Sequence, residues 1–243
     1  MSHLEHISTP PKIIFFTDFD GTITTIDSND YLVAKLGYGE KLLDQSNLDV
    51  LEGRVPLRQA LLDQMHSINY SLEECIEFQC KFIELDQHFV TFYRWARASN
   101  IPVIILSGGL QPLIRALLAK LLDPEEASAI ELHCNDIEAE ADDTDVHRRR
   151  NWRVKLHDES DFGFDKAARI RKCTEKFLQE VPGSLRPALL FAGDGVSDLG
   201  AARSCDLLFA KSGQDLVKYC ESENIAYTAF DTWEKILEVT KVI

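Results

Sequence analysis

Nowhere in its 243 residues does this chain hold an apolar run longer than a buried strand needs, so no transmembrane helix is expected. Its opening, "MSHLEHISTPPK", has no apolar stretch ahead of a cleavage-type site, and a signal peptide is not expected either. Basic residues are the minority: 26 Lys and Arg against 40 Asp and Glu give a formal net charge of -14. A surface of that sign repels phosphate backbones and anionic bilayers, so neither nucleic acid nor a membrane is an expected partner. A small anion remains possible where a cation makes one site locally positive. The six cysteines form no CxxC ladder, which excludes a disulfide framework and fits free thiols in a cytoplasmic protein. "HCND" at 133–136 offers two candidate zinc ligands without a second pair, too few for a structural zinc site. Glycine and proline are not in excess, no repeat stands out, and an apolar fraction of 45% suffices for a packed core.

What is present alternates. "IIFFTD" (13–18), "IPVIILSGG" (101–109), "ALLFAGDG" (188–195) and "DLLFA" (206–210) are continuous apolar runs, the pattern of strands buried on both faces. Amphipathic helical patterns lie between them, at 110–122, 165–179 and 212–224. Strands alternating with such helices predict an α/β fold, a Rossmann-like core with a mainly parallel sheet. From 28 to 84 there is no buried strand but several helical patterns, among them "LRQALLDQMHSI" and "LEECIEFQCKFIE", so a helical cap is expected after the first strand, with 1–27 and 85–243 forming the core. "AIELHCNDIEA" and "NWRVKLHD" read as two strands joined by a charged, solvated loop over 138–151, its Arg148–Arg150 run a solvent-facing turn. "FVTFYRWA" reads as a core helix, and His66, His88, His133, His147 and His157 as structural or surface residues.

In a parallel sheet, ligands bind beyond the carboxyl ends of the strands. The predicted strands put Asp18 and Asp20 there after the first, Ser107 after the second, and Asp194 and Asp198 after the third, while Lys166 opens the helix before that last strand. A magnesium ion takes hard oxygen ligands, and the Asp18 and Asp194 carboxylates with the Asp20 backbone carbonyl could supply them; Mn²⁺ would be accepted by the same donors. A carboxylate beside such an ion can attack phosphorus, giving an aspartyl-phosphate, while a second acid protonates the departing alcohol and then takes a proton from water. Ser107 and Lys166 would hold the phosphoryl oxygens.

At these residues the chain resembles the haloacid dehalogenase superfamily of phosphohydrolases. DxDGT stands at Asp18–Thr22, the second motif is Ser107 in "LSGG", the third is Lys166, and GDGxxD stands at Gly193–Asp198. The resemblance covers nearly the whole chain. It implies Asp18 as nucleophile, Asp20 as general acid and base, Asp18, Asp20 and Asp194 at the metal, and Asp198 as ligand or support. Gly21, Thr22 and Gly108 would meet the phosphate, the last two through backbone N–H groups.

Within the superfamily the chain is most similar to phosphoserine phosphatases and to fungal phosphatases of small metabolites of the polyol phosphate type. Asp27 falls where the former carry a glutamate for the substrate's amino group, but Gln64 stands where they carry a carboxylate-binding arginine. An amide can bond hydroxyls and cannot pair a carboxylate as a guanidinium does. A sugar or sugar-alcohol phosphate is therefore the favoured substrate, read by Asp27 and Gln64. Phosphoserine, a phosphorylated ketone, or transfer of the phosphoryl group to an alcohol are the alternatives. A dehalogenase on the same fold would lack Asp20, and a receiver-type signalling domain would be about half this length.

Overall fold

Residues 10–139, 150–180 and 184–243 are described by a computed structural model. The run "IIFFT" forms β1 (Ile13–Thr17) at the centre of a seven-stranded sheet. β2 (Val103–Leu110) and β5 (Ala188–Gly193) flank it in parallel. β3 (Glu131–Ala139) extends the sheet beyond β2, and β6 (Leu207–Lys211) and β7 (Thr228–Phe230) extend it beyond β5, all parallel. Among the described residues only β4 (Trp152–Lys155), on the edge beside β3, runs antiparallel. The order is β4-β3-β2-β1-β5-β6-β7.

The continuous apolar strands are explained by layers on both faces. Phe15, Ile105, Leu190 and Phe209 point to the side covered by α5 (His88–Ala98), α6 (Gln111–Leu121) and α11 (Trp233–Thr240). There Trp233 meets Phe15, Phe89 and Phe92 at ring separations of 4.7 to 5.8 Å. Ile14, Phe16, Leu106 and Phe191 point the other way, onto α8 (Lys166–Glu180) and α10 (Asp215–Glu223). Burying a side chain of this size contributes on the order of 2 kcal/mol, so a residue apolar on each face is what a doubly covered strand selects. Two short helices, α7 (Pro124–Ala129) and α9 (Leu199–Ala202), complete the core.

The segment expected to be helical holds four helices: α1 (Ser28–Leu36), α2 (Glu40–Leu51), α3 (Leu57–His66) and α4 (Leu72–Phe82). Its two connections to the core run side by side. Thr25 N–H donates to the Glu84 carbonyl at 3.0 Å and Asp86 N–H to the Ile23 carbonyl at 2.9 Å. The helices share an apolar cluster of their own, with Leu32, Val33, Leu43, Met65, Ile68 and Cys75, which also takes in Leu110, Leu113 and Trp152 from outside the segment.

One expectation needs correction here. Arg150 is not in a solvent-facing turn. It is buried, its guanidinium donating from Nε to the Trp152 carbonyl at 2.5 Å and from Nη1 to the Met65 carbonyl at 2.6 Å, 4.3 Å from the Trp152 ring. A cation can be buried where carbonyl oxygens and a ring face replace its water, and the end of α3 supplies both a carbonyl and a negative dipole end. Trp152 Nε1 donates in turn to the Tyr70 carbonyl at 3.1 Å. The rest of the charged loop, with Arg148 and Arg149, lies outside the described residues. Within "HCND", His133 lies 2.8 Å from Glu131 and within 2.9 Å of the Arg169 guanidinium.

Candidate active site

The carboxyl ends of β1, β2 and β5 bring the motif residues together. Asp18 follows β1 directly and is 4% exposed; its Oδ1 accepts from Phe19 N–H at 2.7 Å and from Lys166 Nζ at 2.8 Å. Lys166 is placed by Asp165, whose Oδ1 accepts from Ala168 N–H at 2.9 Å and so starts α8. That cap sets Lys166 at the first helical position, 2% exposed, with Nζ also 2.7 Å from Asp198 Oδ1 and 3.2 Å from Ser197 Oγ. Asp198 is fully buried at the end of a single 3-10 turn, Val196–Asp198, and its Oδ2 accepts from Asp194 N–H at 2.9 Å and Gly195 N–H at 3.1 Å. Both Asp198 oxygens are thus committed to holding the loop and the lysine. Of the two roles left open for it, support is the one its bonds describe.

Asp194 is different: among the described residues nothing donates to its carboxylate, which points back at the first loop. An added Cβ on Gly21 would lie 2.1 Å from Asp194 Oδ2, and Gly21 itself has φ +72°. The glycine is required twice, for left-handed backbone and for the approach of that carboxylate. The Asp18, Asp194 and Asp198 carboxylates come within 4.8 Å of one another.

Burial, then Asp198, and against them only Lys166, push the Asp18 carboxyl up to about 7. Burial and the Asp18 and Asp198 charges raise Asp194 well above the usual range. Burial works against the Lys166 charge, but the Asp18 and Asp198 carboxylates outweigh it and raise the amine. One amine thus faces three acids. A divalent cation with oxygen preference would remove that imbalance, and Asp18 with its second oxygen and Asp194 with both are the groups free to bind it. The donor set fits Mg²⁺ or Mn²⁺.

Asp20 lies apart from this cluster. It is 6% exposed; Oδ1 accepts from Ser28 Oγ, and Oδ2 accepts from Asn29 Nδ2 at 3.0 Å and Ser107 Oγ at 3.1 Å. Burial raises its pKa against the pull of the two hydroxyls. Its side chain is therefore a candidate proton carrier, and only its backbone carbonyl remains as the expected metal contact. Ser107, fully buried, also accepts from Gly109 N–H at 2.9 Å, and Asn135 holds the same loop by donating to the Gly108 carbonyl at 2.7 Å.

A cavity of about 490 Å³ opens over these groups, between core and cap. Asp18, Asp20, Gly108, Lys166 and Asp194 border it on the core side, and Asp27, Gln64, Asn29, Asp30 and Asn47 on the cap side. Three expected phosphate contacts do not border it: Ser107, whose hydroxyl is engaged with Asp20 and Gly109, and two residues of the first loop. Gly21 spends its N–H on Thr24 Oγ1 at 2.8 Å, and Thr22 donates to the Phe19 carbonyl at 3.3 Å without bordering the cavity. Thr22 instead anchors the loop, its carbonyl accepting from Trp233 Nε1 at 2.9 Å. Ser28, Asn29, Asn47 and Trp233 were not singled out from the sequence. Polar residues in helices carry no signal of their own, and only the contacts across chain-distant elements reveal them.

The raised carboxyls predict an unusual pH response. An acid whose pKa is higher folded than unfolded stabilises the fold at low pH, and the contribution is lost as pH rises through the folded value. Chelated protein should therefore lose melting temperature between about pH 4 and pH 7, the window from the ordinary value to that of Asp18. Saturating Mg²⁺, which binds the ionised forms, should raise it by about 5–10 °C at pH 8 and hardly at all at pH 5, from a stabilisation near 2.7 kcal/mol at a hundredfold excess over Kd. Equal shifts at the two pH values in a thermal melt would show that these carboxylates are not where the ion binds.

A model of the haloacid dehalogenase-like hydrolases matches residues 15–203. The chain is 42% identical to Pdp3-interacting factor 1 of Schizosaccharomyces pombe, over 93% of each chain. It is 40% identical to the polyol phosphate phosphatase PYP1 of Saccharomyces cerevisiae, over 96% of this chain and 94% of that one. A 2-hydroxy-3-keto-5-methylthiopentenyl-1-phosphate phosphatase of Bacillus thuringiensis is 28% identical over 93% of this chain and 94% of its own. Among solved structures, a substrate-bound phosphoserine phosphatase superposes with a TM-score of 0.67 at 15% identity, covering 96% of this chain and 99% of that one, which shows the shared fold. The geometry at the strand ends and these likenesses agree: the chain belongs to the haloacid dehalogenase-like hydrolases.

Proposed function

We propose that this phosphatase is a metal-dependent phosphomonoesterase of a small, hydroxyl-rich metabolite, working through an aspartyl-phosphate on Asp18. The observation that carries this is the division of labour between two buried carboxyls: Asp18 is aligned by Phe19 N–H and Lys166, while Asp20, bonded to two hydroxyls and an amide, has a raised pKa suited to holding a proton. One carboxylate oxygen of Asp18 would attack phosphorus as the ester oxygen leaves, taking the proton from Asp20, while the other would stay with the ion. Water would then cleave the acyl phosphate as Asp20 takes a proton back. Lys166 would move part of its charge from the carboxylates to the phosphoryl oxygens. Bound Mg²⁺, held by Asp18 and Asp194, would supply charge neutralisation between the two anions.

The substrate class follows from the cavity wall. Among the described residues no arginine borders the cavity, and its lysine is already bonded to Asp18 and Asp198, so a carboxylate or a second phosphate on the leaving group finds no guanidinium or free amine among them. Gln64 and Asp27 would take hydroxyls instead. The named activity of the yeast relative, on polyol phosphates, points the same way. Phosphate release should be measured over sugar, sugar-alcohol, ketone and serine phosphates, with Mg²⁺ and with chelator. The expected result is metal-dependent release greatest on a sugar-alcohol phosphate; a maximum on phosphoserine would remove the substrate reading and leave the mechanism, and release undiminished by chelator would remove the mechanism.

A further inference from the structure

Two turns along α8 from Lys166, three different metal-binding side chains meet under the sheet. Glu131 and His133 stand two residues apart on β3, which sends both to one face. Cys173, buried on α8, packs on the sheet from that side. One donor atom from each, a carboxylate oxygen, an imidazole nitrogen and the sulfur, lie within 4.8 Å of one another. Around a zinc ion, at its usual bond lengths on a tetrahedron, such donors stand roughly 3.3–3.8 Å apart, so each has about an ångström or less to move. A cavity of about 280 Å³ bordered by His133 opens the group to solvent.

Arg169, one turn before Cys173, now lies against two of these donors, His133 and Cys173, and is poorly satisfied there. Its Nη2 is 2.7 Å from His133 Nδ1 and 2.9 Å from Nε2. The bonding directions of the two ring nitrogens diverge, and a neutral imidazole has a single acceptor. A nitrogen almost equidistant from both therefore lies over the ring and bonds neither well. Among the described residues nothing bonds the buried Arg169 Nε. Exchange of this cation for another costs little charge. The Glu131 carboxylate, the Arg169 guanidinium and a thiol are neutral together. With the arginine turned out to water and the Cys173 proton released, a divalent ion, the carboxylate and a thiolate are neutral again.

We propose that Glu131, His133 and Cys173 form a zinc site, separate from the candidate Mg²⁺ site, with Arg169 as the resident cation that the metal displaces. The donor set selects the ion: thiolate and imidazole suit zinc, whereas Mg²⁺ takes hard oxygen ligands. Three protein ligands leave the fourth position to water. Bound there, the ion ties α8, which begins with Lys166, to β3, whose Asn135 holds the Gly108 loop.

Co²⁺ is the probe, added to Mg²⁺-saturated protein so that the active-site carboxylates are already filled. One equivalent should give a thiolate-to-cobalt charge-transfer band in the near ultraviolet, which carboxylate ligands do not produce, and Zn²⁺, the tighter-binding ion, should abolish it. Folded Cys173→Ser should show no band, and its zinc affinity should fall by at least about 100-fold, beyond the usual loss when an outer-shell partner is removed. Arg169→Gln should act in the opposite direction and tighten zinc by at least about fivefold, since no arginine then fills the site in the metal-free protein. Melting curves establish that each variant is folded, and the wild-type and Arg169→Gln results stand without the serine variant. No band in wild type, a band that persists in folded Cys173→Ser, or zinc bound no tighter by Arg169→Gln would overturn the proposal. None of these outcomes touches the phosphatase reading, whose own test is phosphate release.

Discussion

Asp18→Asn should lower kcat by at least about 10⁴-fold on any monoester, the scale of loss when a covalent nucleophile is removed. The remaining interactions are kept in that variant, which makes the prediction sharp. The Asn oxygen can still accept from Phe19 N–H, and Lys166 keeps Asp198 at 2.7 Å. Because Asp18 is one of three acids facing one amine, removing its charge relieves repulsion on Asp194. Chelated Asp18→Asn should therefore melt at or above the wild-type temperature at pH 8 while being inactive. Loss of activity with loss of stability would point to a damaged site and not to a missing nucleophile. Retained turnover would show that water attacks phosphorus directly.

Lys166→Met has the opposite signature. The amine is 2% exposed and spans two carboxylates, so its removal leaves Asp18 and Asp198 buried without a cation. Breaking a buried pair by deleting one partner costs about 3–5 kcal/mol, or roughly 6–20 °C in melting temperature for a chain of this size. The damage should spread, because Asp198 also holds the Asp194 and Gly195 N–H groups in place. Activity should fall with stability, and Mg²⁺ should recover part of the stability by restoring positive charge near Asp18. Lys166→Arg should not restore activity: a planar fork cannot reach the two carboxylates and Ser197 as an ammonium does. A Lys166→Met melting curve within a degree or two of wild type would mean that the acids are neutral when unpaired.

Much of this site was legible because its chemistry is written at strand ends. "IIFFTDFDGT" announces a doubly buried strand and the two acids after it in ten consecutive residues, and Asp194 and Asp198 follow β5 in the same way. The cap was legible as helical and less so in detail. α2 buries only Leu43, and Leu48 and Leu51 face the cavity at 42% and 59% exposure, so its apolar residues mark no single core face. β7, three residues long on a sheet edge, is below the length at which an apolar run stands out. Arg150 was misread because a run of three arginines looks solvated on charge alone. Its burial depends on an aromatic ring two residues on and on a helix end 85 residues away. The partners of Asp20 and Asp198 are visible only in three dimensions, since nothing in DxDGT or GDGxxD says which carboxylate meets Lys166 and which meets a serine.

Arg150 also bears on what can be exchanged between relatives. Sequence divides the cap from the core at residues 28 and 84, yet the end of α3 rests on a guanidinium from the far side of the chain, Tyr70 on the Trp152 indole, and Arg58 on the Asp158 carbonyl at 2.8 Å. A chimera that grafts a foreign 28–84 segment into this core would set new carbonyls opposite an unchanged Arg150 and new side chains against an unchanged Trp152. The unit to move is the four helices together with Arg150–Lys155, two stretches that are distant in sequence and joined by these contacts.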